Sequence, residues 1–411
     1  MNDIAGFIFT RISYHAGEGK GSEQRIAGGL LKGGPKRIAF PDALDAENLD
    51  FPMEKIIDTS IANRRNRRFI GVLILGLVLL FLFSGLGICL SSGSIPAESV
   101  FRIVLSNSIP GMNLDLADIR EVDQRIVWLI RTPRVILAGL VGAMLAVAGV
   151  QMQGLFRNPL AAPGLVGTSQ GASLGGAIAI ATGLGLTSIG WVPLFSFIGA
   201  FLSLFLIYLL AHREGETSVA MLLLAGVALN FLLSALVSLV ISWKFKDYQA
   251  AVEIVRWLLG GLKDRSWDYV TIAFCSFIPA FLLSTWYARD LDLMLEGEET
   301  AQSLGVETEK VTWVVLLSTA LLTGAAVSVS GVVSFVGLMI PHLLRLIIGP
   351  GHRNLNIASA MTGAWFLIAA DILSRTLIRP EELPLGIITS LIGAPFFLFL
   401  LVRQRKELEI L

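Results

Sequence analysis

Two cysteines, four histidines and a charged fraction of 16% in 411 residues are what this sequence is short of. Each scarcity excludes something. Cys89 and Cys275 both stand inside apolar runs, so inert buried thiols are expected rather than a disulfide framework. His15, His212, His342 and His352 are scattered and lack the spacing of a metal site. No GxSxG nucleophile motif occurs. The nearest approach to a phosphate loop, GEGKGS at 17–22, lacks the first glycine at the right spacing, the hydroxyl residue after the lysine and a preceding strand. Any ATP that drives this protein is therefore expected on another chain. Basic and acidic residues balance at 32 each, and no basic tract is interleaved with aromatics, which argues against nucleic-acid binding.

What is abundant is apolar sequence, 54% of the chain, gathered into runs long enough to cross about 30 Å of hydrocarbon. Residues 1–62 are glycine-rich, mixed in charge and aperiodic, and predict a disordered cytoplasmic tail. Met53 is a second candidate start, and residues 1–52 are expected to be dispensable. The first strong apolar run begins at Phe69, so no signal peptide is expected. RRNRR at 64–68 should hold that end inside. Ten spans follow, near 69–90, 135–156, 163–184, 189–210, 219–241, 270–288, 311–333, 335–348, 355–378 and 384–402. The eighth is too short to cross alone. Ten crossings return the C-terminus to the cytoplasm, where Arg403, Arg405 and Lys406 suit it.

Gly167, Gly171 and Gly175 recur every four residues, which predicts a helix face open to close approach, for packing or for lining a path. Asn158-Pro159 and Ile340-Pro341 interrupt apolar sequence. Asn158 as N-cap with Pro159 in the first turn predicts a helix restart, the kind of broken segment transporters place near their pathways.

Three constellations carry charge or amphipathicity where it needs explaining. In RTPR (131–134), Thr132 and Pro133 predict a helix start. Arg131 and Arg134 then stand against the dipole and against the positive-inside bias, as headgroup anchors or as a socket for acidic residues of an external protein. Asp371 and Arg375, spaced i, i+4, predict an intramembrane ion pair, and Arg375 could join that socket. The loop 289–310 holds two short amphipathic segments. Leu291, Met294 and Leu295 form one face. After Gly297, Glu298 and Glu299 open a second helix with Ala301, Leu304 and Val306 on its apolar side. The pattern suggests docking to a soluble partner.

Several stretches, in order, give the sequence its resemblance: RTPRVILAGLVGAMLAVAGVQMQGLFRNPLAAPGLVGTSQGASLGG (131–176), LLLAGVALN (222–230), RWLLGGL (256–262), GEETAQSLGV (297–306), SFVGLMIPHLLRLIIGPGHR (334–353) and ELPLGIITSLIGAPFFLFLL (382–401). From about residue 66 to 406 the chain resembles FecCD-like permease subunits of type II ABC importers for iron chelates, haem and cobalamin. The resemblance implies an all-α integral membrane protein of about ten spans, with spans two to five and seven to ten as an inverted repeat. It implies a dimer of this chain or with a close paralogue, two ATPase subunits that use ATP and Mg below, and a periplasmic binding protein above. Arg131, Arg134 and Arg375 would receive glutamates of the binding protein. Gly297, Glu298, Glu299, Ala301, Leu304 and Gly305 would form the coupling loop. Thr217, Ser218, Val219 and Ala220 would form the inner gate, with Asn158 and Pro159 beside the pathway. Val219 and Ala220 lack the hydroxyls some relatives carry, and the long N-terminal tail is a second departure. The implied function is ATP-driven import of an iron chelate across the inner membrane, a ferric siderophore first, then haem, with cobalamin as the alternative cargo. An ion-coupled secondary transporter would need titratable groups at the midplane, and apart from Asp371 the spans carry almost none. This chain is expected to be no enzyme and to bind no cofactor or metal itself.

Overall fold

The computed structural model describes residues 52–90, 95–109, 111, 112, 114–213 and 216–408. The chain divides into two units, Met1–Lys55 and Ile56–Leu411, and the second holds the helix bundle. Most of the expected tail lies outside the described residues. Its last part, 52–62, is instead helical.

Helix α1 (Pro52–Cys89) has 38 residues, roughly 57 Å at 1.5 Å per residue, so it overshoots a bilayer core. The overshoot carries Arg64, Arg65, Arg67 and Arg68, all exposed, and this end defines the inner face below. On the outer face α2 (Ala97–Ser108) packs Val100 and Ile103 on Ile119 and Val127, and Arg102 NH2 holds Asp118 Oδ2 at 2.6 Å.

The second span begins earlier than its apolar run. Helix α3 (Glu121–Arg125), a π turn (Ile126–Arg131) and α4 (Thr132–Leu155) form one continuous rod. Thr132 and Pro133 therefore do not start a helix. Proline within a helix removes a donor and crowds the carbonyl four residues back, and a π turn just before it widens the coil at that point. Thr132 donates both its backbone N–H and its hydroxyl (2.7 Å) to the Val127 carbonyl.

After α4 the chain turns through 156–162. Asn158 does not cap a helix at Pro159: its Oδ1 accepts from the Leu160 N–H (2.9 Å), a local turn, because Pro159 and Leu160 leave the helical path. The restart comes later, with a 3₁₀ turn (Pro163–Val166) and α5 (Thr168–Ala181), followed by α6 (Leu184–Thr187) and α7 (Trp191–Ala211). A two-residue hairpin, β1 (His212–Arg213) and β2 (Glu216–Thr217), leads into α8 (Val219–Trp243). Next come α9 (Tyr248–Leu258), α10 (Trp267–Trp286) and the short α11 (Ala288–Leu295) and α12 (Glu298–Ser303). The last four are α13 (Thr308–Ser330), α14 (Val336–Ile348), α15 (His352–Thr376) and α16 (Leu385–Leu408).

Among the described residues seven helical stretches are long and apolar enough to cross a membrane, and two shorter apolar helices stand at 336–348 and 385–400. With α5 they occupy the ten predicted spans. The packing has a repeat in it. Helix α4 lies on α15 and α14, as α13 lies on α7 and α5; α5 lies on α7 as α14 does on α15; α7 lies on α8 as α15 does on α16. Helix α4 ends on the inner face and α13 begins there, so the halves run in opposite senses, an inverted repeat. Both short helices restart after a residue in the left-handed region, Gly167 (φ 72°) before α5 and Phe335 (φ 65°) before α14.

Irregular backbone at membrane depth survives only where protein satisfies it. Here Asn230 Nδ2 donates to Gly164 O (3.0 Å) and Ser203 Oγ to Gly167 O (3.0 Å). The centre is made by small residues. A Cβ on Gly142 would collide with the Gly363 carbonyl of α15, one on Gly149 with that of Gly337, and one on Gly175 with that of Phe195. Gly171 and Gly175 thus serve helix packing, while Gly167 precedes the helix. Helix α4 is buried along its length except at Ile136 and Leu140. Cys89 is half-buried, and Cys275, contrary to expectation, is exposed on α10: its helix turns that side away from the bundle, and an apolar run does not tell lipid from core.

Candidate functional site

Two polar clusters stand at opposite ends of this bundle. The outer one joins the end of α1, the head of α4, the end of α15 and the turn before α16. Arg134 places Nε 3.2 Å from both Asp371 oxygens and NH2 3.0 Å from Oδ1. The same guanidinium grips Glu382 with NH1 at 3.0 Å and NH2 at 2.9 Å. Arg375 Nε lies 3.1 Å from Asp371 Oδ2, so Asp371 bridges two arginines.

The other contacts explain the arginines' position. Arg375 donates to the carbonyls of Leu90 (3.2 Å) and Gly87 (3.1 Å), and Arg131 to those of Ile88 (3.1 Å) and Cys89 (3.4 Å). A helix leaves its last four carbonyls without intrahelical partners, and its C-terminus favours cations. Arg131 and Arg375 close that end of α1. The expectation that the arginines oppose a helix dipole is reversed: they sit inside a continuous rod, beside the negative end of another helix. Nor are they open to solvent, at 3%, 8% and 8% exposed for Arg131, Arg134 and Arg375. Among the cluster's described side chains only Glu382, 34% exposed, reaches solvent appreciably. Burial pushes the Glu382 carboxyl up, but the hydrogen bond and charge of Arg134, with Arg375 and Lys263, outweigh it and leave its pKa below the ordinary value. Its contact with Arg134 therefore adds stability above the ordinary carboxylate range and loses it as pH falls through the lowered value.

The inner cluster lies around a cavity of about 840 Å³ lined by Arg157, Thr217, Ser218, Val219, Glu298 and Glu299 among others. Thr217 is buried at the end of the hairpin. Ser218 caps α8, its Oγ accepting from the Met221 N–H (3.4 Å). Val219 and Ala220 form the first turn of α8. Asn158 and Pro159 are not brought to this cavity; Pro159 instead closes a small apolar pocket with Phe335, His342 and Gly393.

The loop 289–310 is oriented differently from the expectation. Leu291 and Met294 are buried, as are Ala301 and Val306, and all pack into the bundle's inner core. The periodicity was real, but the body that covers it is this chain's own. What faces outward is Glu298, Glu299 and Leu304, the last 62% exposed, with Gly297 (φ 123°) and Gly305 (φ 86°) turning the chain on either side of α12.

Two features here were missed at the level of sequence. Glu309 in the first turn of α13 bonds the hairpin, and Asp292 on α11 holds α15. The Asp292 carboxylate accepts the His352 N–H at the start of α15 (3.0 Å) and contacts the buried His352 Nδ1. The only local signal was the presence of acids within the 289–310 loop.

Residues 76–403 match the FecCD transport family. The chain belongs to that family. It is 43% identical to the hemin transport system permease HmuU of Yersinia pestis over 68% of this chain and 84% of that protein. It is 41% identical to the cobalamin import system permease BtuC of Halobacterium salinarum over 74% of this chain and 82% of that one. A solved structure described as an inward-facing, metal-chelate type ABC transporter superposes with a TM-score of 0.63 at 32% identity, covering 74% of this chain and 96% of that one. The chain is a helical membrane permease of the type II ABC importer fold, and the family is one of transport permeases rather than enzymes.

Proposed function

We propose that this chain is the membrane-spanning subunit of an ATP-driven importer that carries an iron chelate, a ferric siderophore, inward across the cell inner membrane. The observation that carries the reading is the inner cluster: a cytoplasmic loop exposes Leu304, Glu298 and Glu299, and the two glutamates line one cavity with Thr217–Val219. An ATPase seated on that loop could move the residues that close the path. In this reading two copies form the pathway, two ATPases supply ATP hydrolysis with Mg, and both termini are cytoplasmic, as the arginines at 64–68 favour. The test is uptake into vesicles carrying the permease, its ATPase and its binding protein. Uptake should require ATP, and uptake driven by an ion gradient alone overturns the reading. The similarity to a cobalamin permease supports the second cargo. The spectrum of the binding protein purified with its ligand separates them: iron charge-transfer for a siderophore, a Soret band for haem, a corrin spectrum for cobalamin.

Docking of a periplasmic binding protein on the outer cluster belongs to the same reading, supported by the Arg134–Glu382 contact, where the cluster reaches solvent. Reversing Arg131 or Arg134 would break buried contacts as well, so Glu382 is the informative position. Glu382→Gln removes the negative charge that competes for Arg134 and one of the two acceptor oxygens on its outward nitrogens, and leaves Asp371 in place. It is expected to tighten binding-protein affinity for the nanodisc complex several-fold at low salt, with the gain fading at high salt. Unchanged affinity at both salts would place docking elsewhere.

A further inference from the structure

The inner cavity is crossed by one carboxylate. Glu309 Oε1 accepts the hydroxyls of Thr217 (2.6 Å) and Tyr208 (3.0 Å), and its Oε2 accepts the Thr217 backbone N–H (3.0 Å). His212 Nδ1 lies 3.2 Å from Oε1. Four groups from the end of α7 and both strands of the hairpin thus converge on one side chain of α13. Tyr208 is itself held by stacking on His212 (5.1 Å between centroids) and by Trp313, one turn beyond Glu309 (4.5 Å). On one side of this contact Glu309 follows directly from loop 289–307. On the other, Thr217 precedes Ser218, the cap of α8. The segments face each other across the cavity, whose walls include Glu298, Glu299 and Thr308 from the loop side and Thr217, Ser218 and Val219 from the hairpin side.

We propose that Glu309 is the positioning residue through which movement of the 289–307 loop reaches Thr217–Ala220 at the head of α8. Helix α13 is a stiff lever, and a displacement of its first turn is transmitted where it is bonded. Thr217 is held by its hydroxyl and its backbone N–H at once, so neither rotamer change nor sliding frees it alone. The inference rests on the reading that the loop seats an ATPase and that Thr217–Ala220 gate the path.

The test uses the full permease–ATPase complex in nanodiscs, with Cys89→Ala and Cys275→Ala, and Ala220→Cys as reporter. The probe is a water-soluble maleimide, and the effector is a non-hydrolysable ATP analogue with Mg. Nucleotide should change the labelling rate at position 220 by about tenfold, the effect of ~1.4 kcal/mol. Glu309→Gln removes the charge and leaves one acceptor oxygen where the carboxylate offers two to Thr217 and Tyr208. It should cut the nucleotide response to less than about twofold, while the ATPase still co-purifies; adding Thr217→Val should change little more, because both remove the same link. An intact response in Glu309→Gln overturns the inference. So does loss of the ATPase from that variant, since Glu309 would then shape the docking surface itself. A parent complex that binds the ATPase but ignores nucleotide at position 220 overturns the gate reading and this inference with it.

Discussion

Asp371→Ala is expected to cost the folded permease about 3–5 kcal/mol, the penalty for breaking a buried ion pair by removing one partner. Asp371 is 1% exposed and is the carboxylate shared by Arg134 and Arg375. Without it Arg134 keeps Glu382, and Arg375 keeps backbone carbonyls, those of Gly87 and Leu90 at the end of α1 and that of residue 371. Two guanidinium groups then remain in a low-dielectric site with one carboxylate between them. Asp371→Asn should cost less, because the amide oxygen still accepts one guanidinium hydrogen bond. Replacing the pair with apolar groups, Asp371→Leu with Arg375→Met, should not restore stability. In an isolated pair such a swap is often neutral, but here Arg375 also satisfies the Gly87 and Leu90 carbonyls. The measurement is thermal unfolding in detergent. An alanine variant as stable as the parent would mean the cluster is solvated and the network contributes nothing.

That network shows where sequence reasoning reaches and where it stops. The spans were legible because hydrocarbon thickness demands long apolar runs, and those runs are continuous in the chain. The Asp371–Arg375 spacing was legible because both residues lie on one helix face. The role of RTPR was not. Thr132-Pro133 carries the local marks of a helix start, and nothing nearby shows that a π turn lets the helix run through. The carbonyls that Arg131 closes lie more than forty residues earlier, and Glu382 lies 248 residues after Arg134. Glu309 was hidden for the same reason. An acid in a first turn already has a local explanation in the helix dipole, so its bond to Thr217, 92 residues away, leaves no trace in the pattern. The faces of the 289–310 loop were legible as periodicity, but periodicity cannot say which body covers them. Leu291 and Ala301 turned inward because the bundle core was nearest.

The inward turn sharpens what the loop can offer a partner. Glu299→Ala with Leu304→Ala should weaken ATPase binding at least about thirtyfold, or leave it bound with hydrolysis no longer linked to uptake, the scale of losing an interface hot spot of about 2 kcal/mol. Leu304 is the one large apolar side chain of the 297–305 segment, and it is 62% exposed, not covered by the described residues. Glu298 and Glu299 are exposed in the first turn of α12, where the helix N-terminus favours acids, and Leu304 caps its other end, so the acids can form a polar rim without strain. An apolar anchor inside a charged rim is the arrangement in which truncating the anchor costs most and truncating the rim mainly slows association. The single variants should therefore differ. Leu304→Ala should raise the dissociation rate, and Glu299→Ala should lower the association rate and reduce its salt dependence. Neither should unfold the permease, because Ala301 and Val306, which fasten this segment to the bundle, are untouched. Binding kinetics of the ATPase on nanodisc-held permease, at two salt concentrations, separate the two effects. Parental kinetics and full uptake in the double variant would show that the ATPase sits elsewhere on the inner face.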